Sequence, residues 1–234
     1  MSPRALLIIP AFNESATIGQ VLENVRAAET GCEVVVIDDG SSDGTAAIVQ
    51  AAGEKVIRHP FNLGYGAALQ TGYKYALSQG ASLLVQMDAD GQHDPRDIDE
   101  LLKPIEAGEF DLIVGSRFLE KTDYKMEPLR NVGRWLFRSL VRLAGLRVSD
   151  PTSGFQAMNL RALEDYASDF FPTDYPDVDV LLTAYRHGLR VGERSVHMLK
   201  ATRESTLHGG VRSIYYVYKM LLSTLSASAE KRKS

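Results

Sequence analysis

Short apolar runs, each followed by a helical period, constrain this chain more than any other feature. Ala5–Ile9 (ALLII) and Ser82–Gln86 (SLLVQ) read as buried strands, Glu33–Ile37 (EVVVI) as a β-branched one, and Lys55–Arg58 and Leu112–Val114 as further short strands. Between them the spacing changes to that of helices. Ile18, Val21, Leu22 and Val25 share one helix face, with Ser15 read as its N-cap. Helices are expected over Thr45–Ala52 and Ala67–Ser78. In a further one, Asp94 caps, Pro95 takes the first position, and Ile98, Leu101, Leu102 and Ile105 form the buried stripe. Strand and helix in strict alternation predict an α/β fold: a doubly wound, mostly parallel sheet with helices on its faces. Later in the chain a helix over Val180–His187 and a strand over Arg190–Met198 continue the pattern.

The 234 residues are enough for one such domain with a full core. A single cysteine, Cys32, rules out an internal disulfide framework and suits a reducing compartment. The net charge of −4 counts against a general nucleic-acid binder. Ala5–Pro10 is too short for the apolar core of a signal peptide, and no run reaches the length of a membrane span.

Three of the strands end in polar loops of different chemistry: Pro10–Glu14 (PAFNE), Asp38–Thr45 (DDGSSDGT) and Met87–Pro95 (MDADGQHDP). In a doubly wound sheet such loops gather along the carboxyl edge, where ligands bind. Asp88 and Asp90, one residue apart, can hold a hard divalent cation through oxygen, and such a cation neutralises a diphosphate. The residues alone lead to a chain that binds a nucleotide diphosphate with a metal.

Six blocks in order carry a resemblance: PAFNE, VVVIDDGSSDGT, HPFNLGYGAAL, QMDADGQHDP, IVGSR and DPTSGFQAMN. They resemble family 2 glycosyltransferases of the GT-A fold, above all the dolichyl-phosphate mannose synthase-like, or polyprenyl-phosphate glycosyltransferase, branch. The resemblance spans roughly Ala5–Asn159. It implies a Rossmann-like, mostly parallel central sheet flanked by helices, with amphipathic helices towards the C-terminal half. Pro10, Phe12 and Glu14 would line the base and ribose pocket beside Asp38 and Asp39. Asn62, Gly64 and Gly66 would let the backbone approach the nucleotide. Asp88, Asp90 and Gln92 would hold Mg²⁺ or Mn²⁺, with Asp88 also serving the donor diphosphate. Asp90 and Arg117 would be catalytic, Arg117 by offsetting phosphate charge.

The activity implied is inverting transfer of a sugar from a nucleotide-sugar donor, such as GDP-mannose or UDP-glucose, to a polyprenyl or dolichyl phosphate. A phosphate oxyanion needs no strong base. A hydroxyl acceptor would need one, and Asp150, Asp177 and Asp179 are the candidates. Two alternatives stand beside this: a saccharide or soluble acceptor in polysaccharide synthesis, and a nucleotide-sugar-binding subunit without turnover.

Arg130, Arg134, Arg138 and Arg142 recur every fourth residue among Leu129, Val132, Trp135, Phe137 and Val141. On a helix over about residues 128–146 this makes a basic amphipathic face suited to an anionic membrane surface. Arg130 matches the family pattern, whereas Arg134 stands where a small hydroxyl residue is usual. Arg117, Arg130, Arg134 and Arg203 are the candidates for phosphate and acceptor contacts, with His208 beside the last. The expected organisation is a catalytic domain over 1–210 and an apolar helix with a basic tail over 211–234. That helix docks on the domain, on a second copy or membrane partner subunit, or on the lipid. The expected location is cytoplasmic, peripheral at the inner face of the cell membrane.

Overall fold

Strand β1 (Leu6–Ala11) is the axis of the sheet, with a parallel partner on each side. The computed structural model describes residues 5–119, 137–139, 141–169, 171–172, 176 and 178–199. In chain order β1 is followed by α1 (Ile18–Ala27), β2 (Glu33–Asp38), α2 (Thr45–Ala51), β3 (Lys55–Arg58), α3 (Tyr65–Ser78) and β4 (Leu83–Gln86). A short 3₁₀ turn, Pro95–Asp97, leads into α4 (Ile98–Glu106). Then come β5 (Leu112–Ser116), β6 (Gln156–Asn159), α5 (Leu160–Tyr166), α6 (Val178–Arg186) and β7 (Val191–Ser195).

The strand order is β3-β2-β1-β4-β6-β5-β7. All pairings are parallel except those of β6, which runs against both β4 and β5. The continuous apolar character of β1 has a direct cause. Leu6 and Ile8 enter one core, and Leu7 and Ile9 the other, so the strand is buried on both faces. Each such side chain contributes about 1.5–3 kcal/mol of transfer free energy. The first core lies under α3, α5 and α6, with Leu69, Tyr73, Leu163 and Leu181. The second lies under α1 and α4, with Val21, Leu22, Leu101 and Leu102.

The expected strands and helices form with small shifts of boundary: α3 begins at Tyr65, α6 covers Val178–Arg186, and the last strand shortens to Val191–Ser195. Three features differ. The DPTSGFQAMN block ends in a strand, and antiparallel at that. Helix α5 follows it immediately, its first turn capped by Asn159, whose Oδ1 accepts from Ala162 N. Ser15 does not cap α1: Thr17 stands at the N-cap, its hydroxyl turned back to Glu14, while Ser15 N donates to Asp43.

Of the expected basic helix, only 137–139 and 141–146 are among the described residues, helical at 137–139 and 141–143. Arg130, Arg134, Asp177, Arg203, His208 and the 211–234 segment lie outside them. Among the described residues no helix is long and apolar enough to cross a membrane.

Candidate active site

The parallel register Ala11↔Asp38 and Ile8↔Gln86 brings the ends of β1, β2 and β4 to one edge of the sheet. The three polar loops therefore share a crevice, as their positions after strands require. The first two are tied to each other. Asn13 N donates to Ser41 Oγ (2.9 Å) and Ser42 N to Asn13 Oδ1 (3.0 Å), with Asn13 at φ 56°. Glu14 N donates to Thr45 Oγ1 at 2.9 Å. Burial works to raise the Asp43 carboxyl, but hydrogen bonds from Thr45 and Ser15 outweigh it and bring it down to about 2.

Asp38 and Asp39 are both buried, and they do different work. Asp39 Oδ1 faces His59 Nδ1 (2.7 Å) and accepts from Leu63 N (2.9 Å), and its Oδ2 accepts from Gly64 N (2.9 Å). It thus ties the 59–64 loop to the crevice, and through that loop holds Asn62 and Gly64 at the rim. Asp38 Oδ1 accepts from Ser41 N, and its Oδ2 lies 3.1 Å from Arg58 Nε without an aligned hydrogen bond. Gly40 lets the two loops close on each other: at φ 74°, a β-carbon there would lie 2.5 Å from the Phe61 carbonyl carbon. Phe12 is 45% exposed and Phe61 63%, an aromatic rim and not a core.

Asp88 and Asp90 stand at the end of β4. Asp88 Oδ1 accepts from the Tyr65 hydroxyl at 2.8 Å, and Oδ2 faces His93 Nε2 at 3.4 Å. Tyr65 in turn accepts from Gln86 Nε2 (3.3 Å), and Gln86 Oε1 accepts from the buried Tyr73 hydroxyl. His93 is buried against Phe155, ring centroids 4.9 Å apart. Burial works to raise the Asp88 carboxyl, but the hydrogen bonds and charges of His93, Tyr65 and Arg117 outweigh it and leave it below its usual range. Asp90 moves the other way: burial and then the neighbouring Asp88 charge push it up. Gln92 donates to both oxygens of Asp90, from its backbone N (2.9 Å) and from Nε2 (2.9 Å). Gly154 lies against Asp88, where a β-carbon would come within 2.5 Å of Oδ2.

Arg117, just beyond β5, makes a two-pronged ion pair with the buried Asp150, Nε to Oδ2 at 2.6 Å and Nη2 to Oδ1 at 2.8 Å. Asp150, a candidate base from the sequence, is thus held by an arginine. Asp179 is buried in the first turn of α6, its Oδ1 accepting from Val180 N. The chain after β7 returns to the carboxylate loop, where Leu199 N donates to Gln92 O at 2.8 Å and Met198 bridges to His93.

Tyr65, His93 and Gly154 are the site residues that sequence reasoning misses. Each lies inside a quoted block, but its contact with Asp88 is long-range or irregular in spacing and leaves no periodic signal.

A mostly parallel sheet with one antiparallel strand set inside it, and a carboxylate pair at its carboxyl edge, is the arrangement of the GT-A fold. Residues 6–167 match the model of Glycosyl transferase family 2, and the chain belongs to that family. It is a glycosyltransferase. Among its relatives, the undecaprenyl-phosphate mannosyltransferase of Micrococcus luteus is 31% identical over 219 residues, 89% of this chain and 89% of that protein. The UDP-N-acetylglucosamine–dolichyl-phosphate N-acetylglucosaminyltransferase of Methanococcus voltae is 32% identical over 209 residues, 80% of this chain and 82% of that one. The fold is shared with glucosyl-3-phosphoglycerate synthase from Mycobacterium tuberculosis, crystallised with Mn²⁺, UDP-glucose and phosphoglyceric acid. Its TM-score is 0.74 at 21% identity, covering 97% of this chain and 80% of that one.

Proposed function

We propose that this chain transfers a sugar from a nucleoside-diphosphate sugar to a polyprenyl phosphate, with inversion, at the inner face of a membrane. The observation that carries it is the half-buried carboxylate pair at the end of β4, with Asp88 held by Tyr65 and facing His93 and with Asp90 held by Gln92. The relatives whose names specify polyprenyl phosphates supply the acceptor class.

The donor set fits Mg²⁺ or Mn²⁺. Among the described residues no group of three or more His, Cys, Asp or Glu gathers into a closed cage. Such hard cations are usually held by one or two carboxylates and completed by substrate phosphates. Asp88 and Asp90 would hold the ion, which supplies positive charge to the departing diphosphate. Their mutual repulsion, visible in the raised Asp90, would be relieved by it. Tyr65 and His93 fix the Asp88 carboxylate, and Gln92 fixes that of Asp90. The bond from the anomeric carbon to the donor diphosphate breaks as one forms to an acceptor phosphate oxygen. That oxygen is already ionised, so no base need take a proton. Asp150 accordingly serves to aim Arg117. The exposed Phe12 offers a flat surface to the base, beside Pro10 and Glu14. Arg130, Arg134 and Arg203 are proposed for the acceptor phosphate.

The test is direct. The full chain is incubated with Mg²⁺, radiolabelled GDP-mannose, UDP-glucose or UDP-N-acetylglucosamine in turn, and a short polyprenyl phosphate. Label passing into the organic phase with one donor is the expected result. Label reaching only soluble saccharide, or no product at all, would refute the acceptor assignment.

A further inference from the structure

At the β7 edge of the sheet lies a cavity of about 150 Å³ lined by Arg138, Arg142, Arg147, Val148, Ser149 and Glu193. A single water needs only ~10–15 Å³, so the space admits a tetrahedral oxyanion. Three arginines and a single glutamate line it. Among the described residues, none of the three has an ion-pair partner, unlike Arg26, Arg96, Arg117 and Arg190. Glu193 Oε2 is already engaged, accepting from Ser149 N (2.8 Å) and Ser149 Oγ (2.7 Å). Arginine forks suit phosphate oxygens better than any other side chain does. Leu143, on the same helical stretch as Arg142, is 86% exposed. An apolar side chain held in water beside a cationic pocket matches the interface of a lipid layer, where the chain enters the acyl boundary and the arginines meet headgroups.

We propose that this cavity is a second phosphate site, lined by residues other than those proposed for the donor, which takes the phosphate of a membrane-lipid headgroup with Leu143 inserted into the lipid. Arg147 distinguishes it from a charge stripe, because it lies outside the four-residue repeat of Arg130 to Arg142 and across the Gly145 turn. None of the lining residues bonds Asp88 or Asp90, so a binding assay tests the pocket independently of turnover.

Phosphatidylcholine vesicles with and without phosphatidic acid are sedimented with the full chain, and inorganic phosphate is titrated by calorimetry at low salt. Arg142→Gln and Arg147→Gln should each weaken retention on phosphatidic-acid vesicles about fivefold. Glu193→Gln should strengthen both vesicle retention and the binding of inorganic phosphate by calorimetry, the second of which a misfolded chain does not gain. Arg26→Gln, on α1, should change nothing. Leu143→Ser should lower vesicle retention while leaving inorganic phosphate binding intact, which assigns the phosphate to a lipid. If phosphate binding depends on the arginines and Leu143→Ser has no effect on vesicles, the ligand is a soluble phosphate and the lipid assignment falls. Equal binding of both probes by wild type, Arg142→Gln and Arg147→Gln overturns the site altogether.

Discussion

Gly154 and Asp88 are in such close contact that a β-carbon at position 154 would lie 2.5 Å from the Asp88 carboxylate. The strand-to-strand return before β6 therefore helps set where the first carboxylate of the pair sits. Gly154→Ala should move that carboxylate by a fraction of an ångström and lower kcat about tenfold to a hundredfold. Far-UV circular dichroism should be unchanged. Wild-type turnover in the Gly154→Ala variant would show that the contact is incidental.

Asp90 carries the pushed-up member of the pair. Asp90→Asn should abolish turnover and weaken Mn²⁺ binding in the presence of a nucleoside diphosphate, read by electron paramagnetic resonance. The melting temperature should hold or rise, since a like-charge contact with Asp88 is lost. Retention of normal Mn²⁺ affinity in this variant would exclude Asp90 as a ligand.

The Arg117–Asp150 pair is buried enough that removing one partner strands the other. Asp150→Ala should cost about 3–5 kcal/mol of stability in urea unfolding, and the double variant with Arg117→Ala should recover part of that loss. Activity should not return in the double variant, because Arg117 is proposed to face the leaving phosphate. Additive losses in the cycle would mean the two side chains are not coupled.

Asp111 gives the acid limb of stability a specific source. Hydrogen bonds from Arg190, in side chain and backbone, and from Asn159 hold its carboxyl well below the usual range against its burial. A depressed carboxyl contributes stability above its unfolded value, about 3.9, and loses it as pH falls towards the folded value. Unfolding free energy should therefore drop steeply below about pH 4. Asp111→Asn should be less stable at neutral pH and show a flatter acid limb. An unchanged acid limb would place the effect elsewhere.

The centre of the sheet is legible from sequence because β1 and β2 are buried on both faces and announce themselves as apolar runs. Strand β6 gives no such signal. QAMN begins with a polar residue, spans four positions, and owes its state to pairing with β4 and β5. Ser15 misleads as a cap because its backbone is claimed by Asp43 from another loop. The same division holds at the site. Asp88 and Asp90 stand out because a strand precedes them, whereas Tyr65, His93 and Gly154 matter through contacts that only folding creates. Asp39 reads in the sequence as a ligand-facing carboxylate, and its partners His59, Leu63 and Gly64 show it tying the next loop in place.

Because β5 ends and β6 begins at the same edge, with Gly115 N donating to Phe155 O, the whole excursion over residues 117–155 leaves and re-enters the sheet beside the carboxylates. The free-energy cost of closing such a loop grows only slowly with its length, about 0.6 kcal/mol per doubling. The stretch between Arg117 and Asp150 can therefore change in length at small cost while the half of the sheet built on β1, β2 and β4 keeps its register. On the proposed acceptor role of Arg130 and Arg134, both in that stretch, one scaffold can in this way exchange what receives the sugar without rebuilding what delivers it.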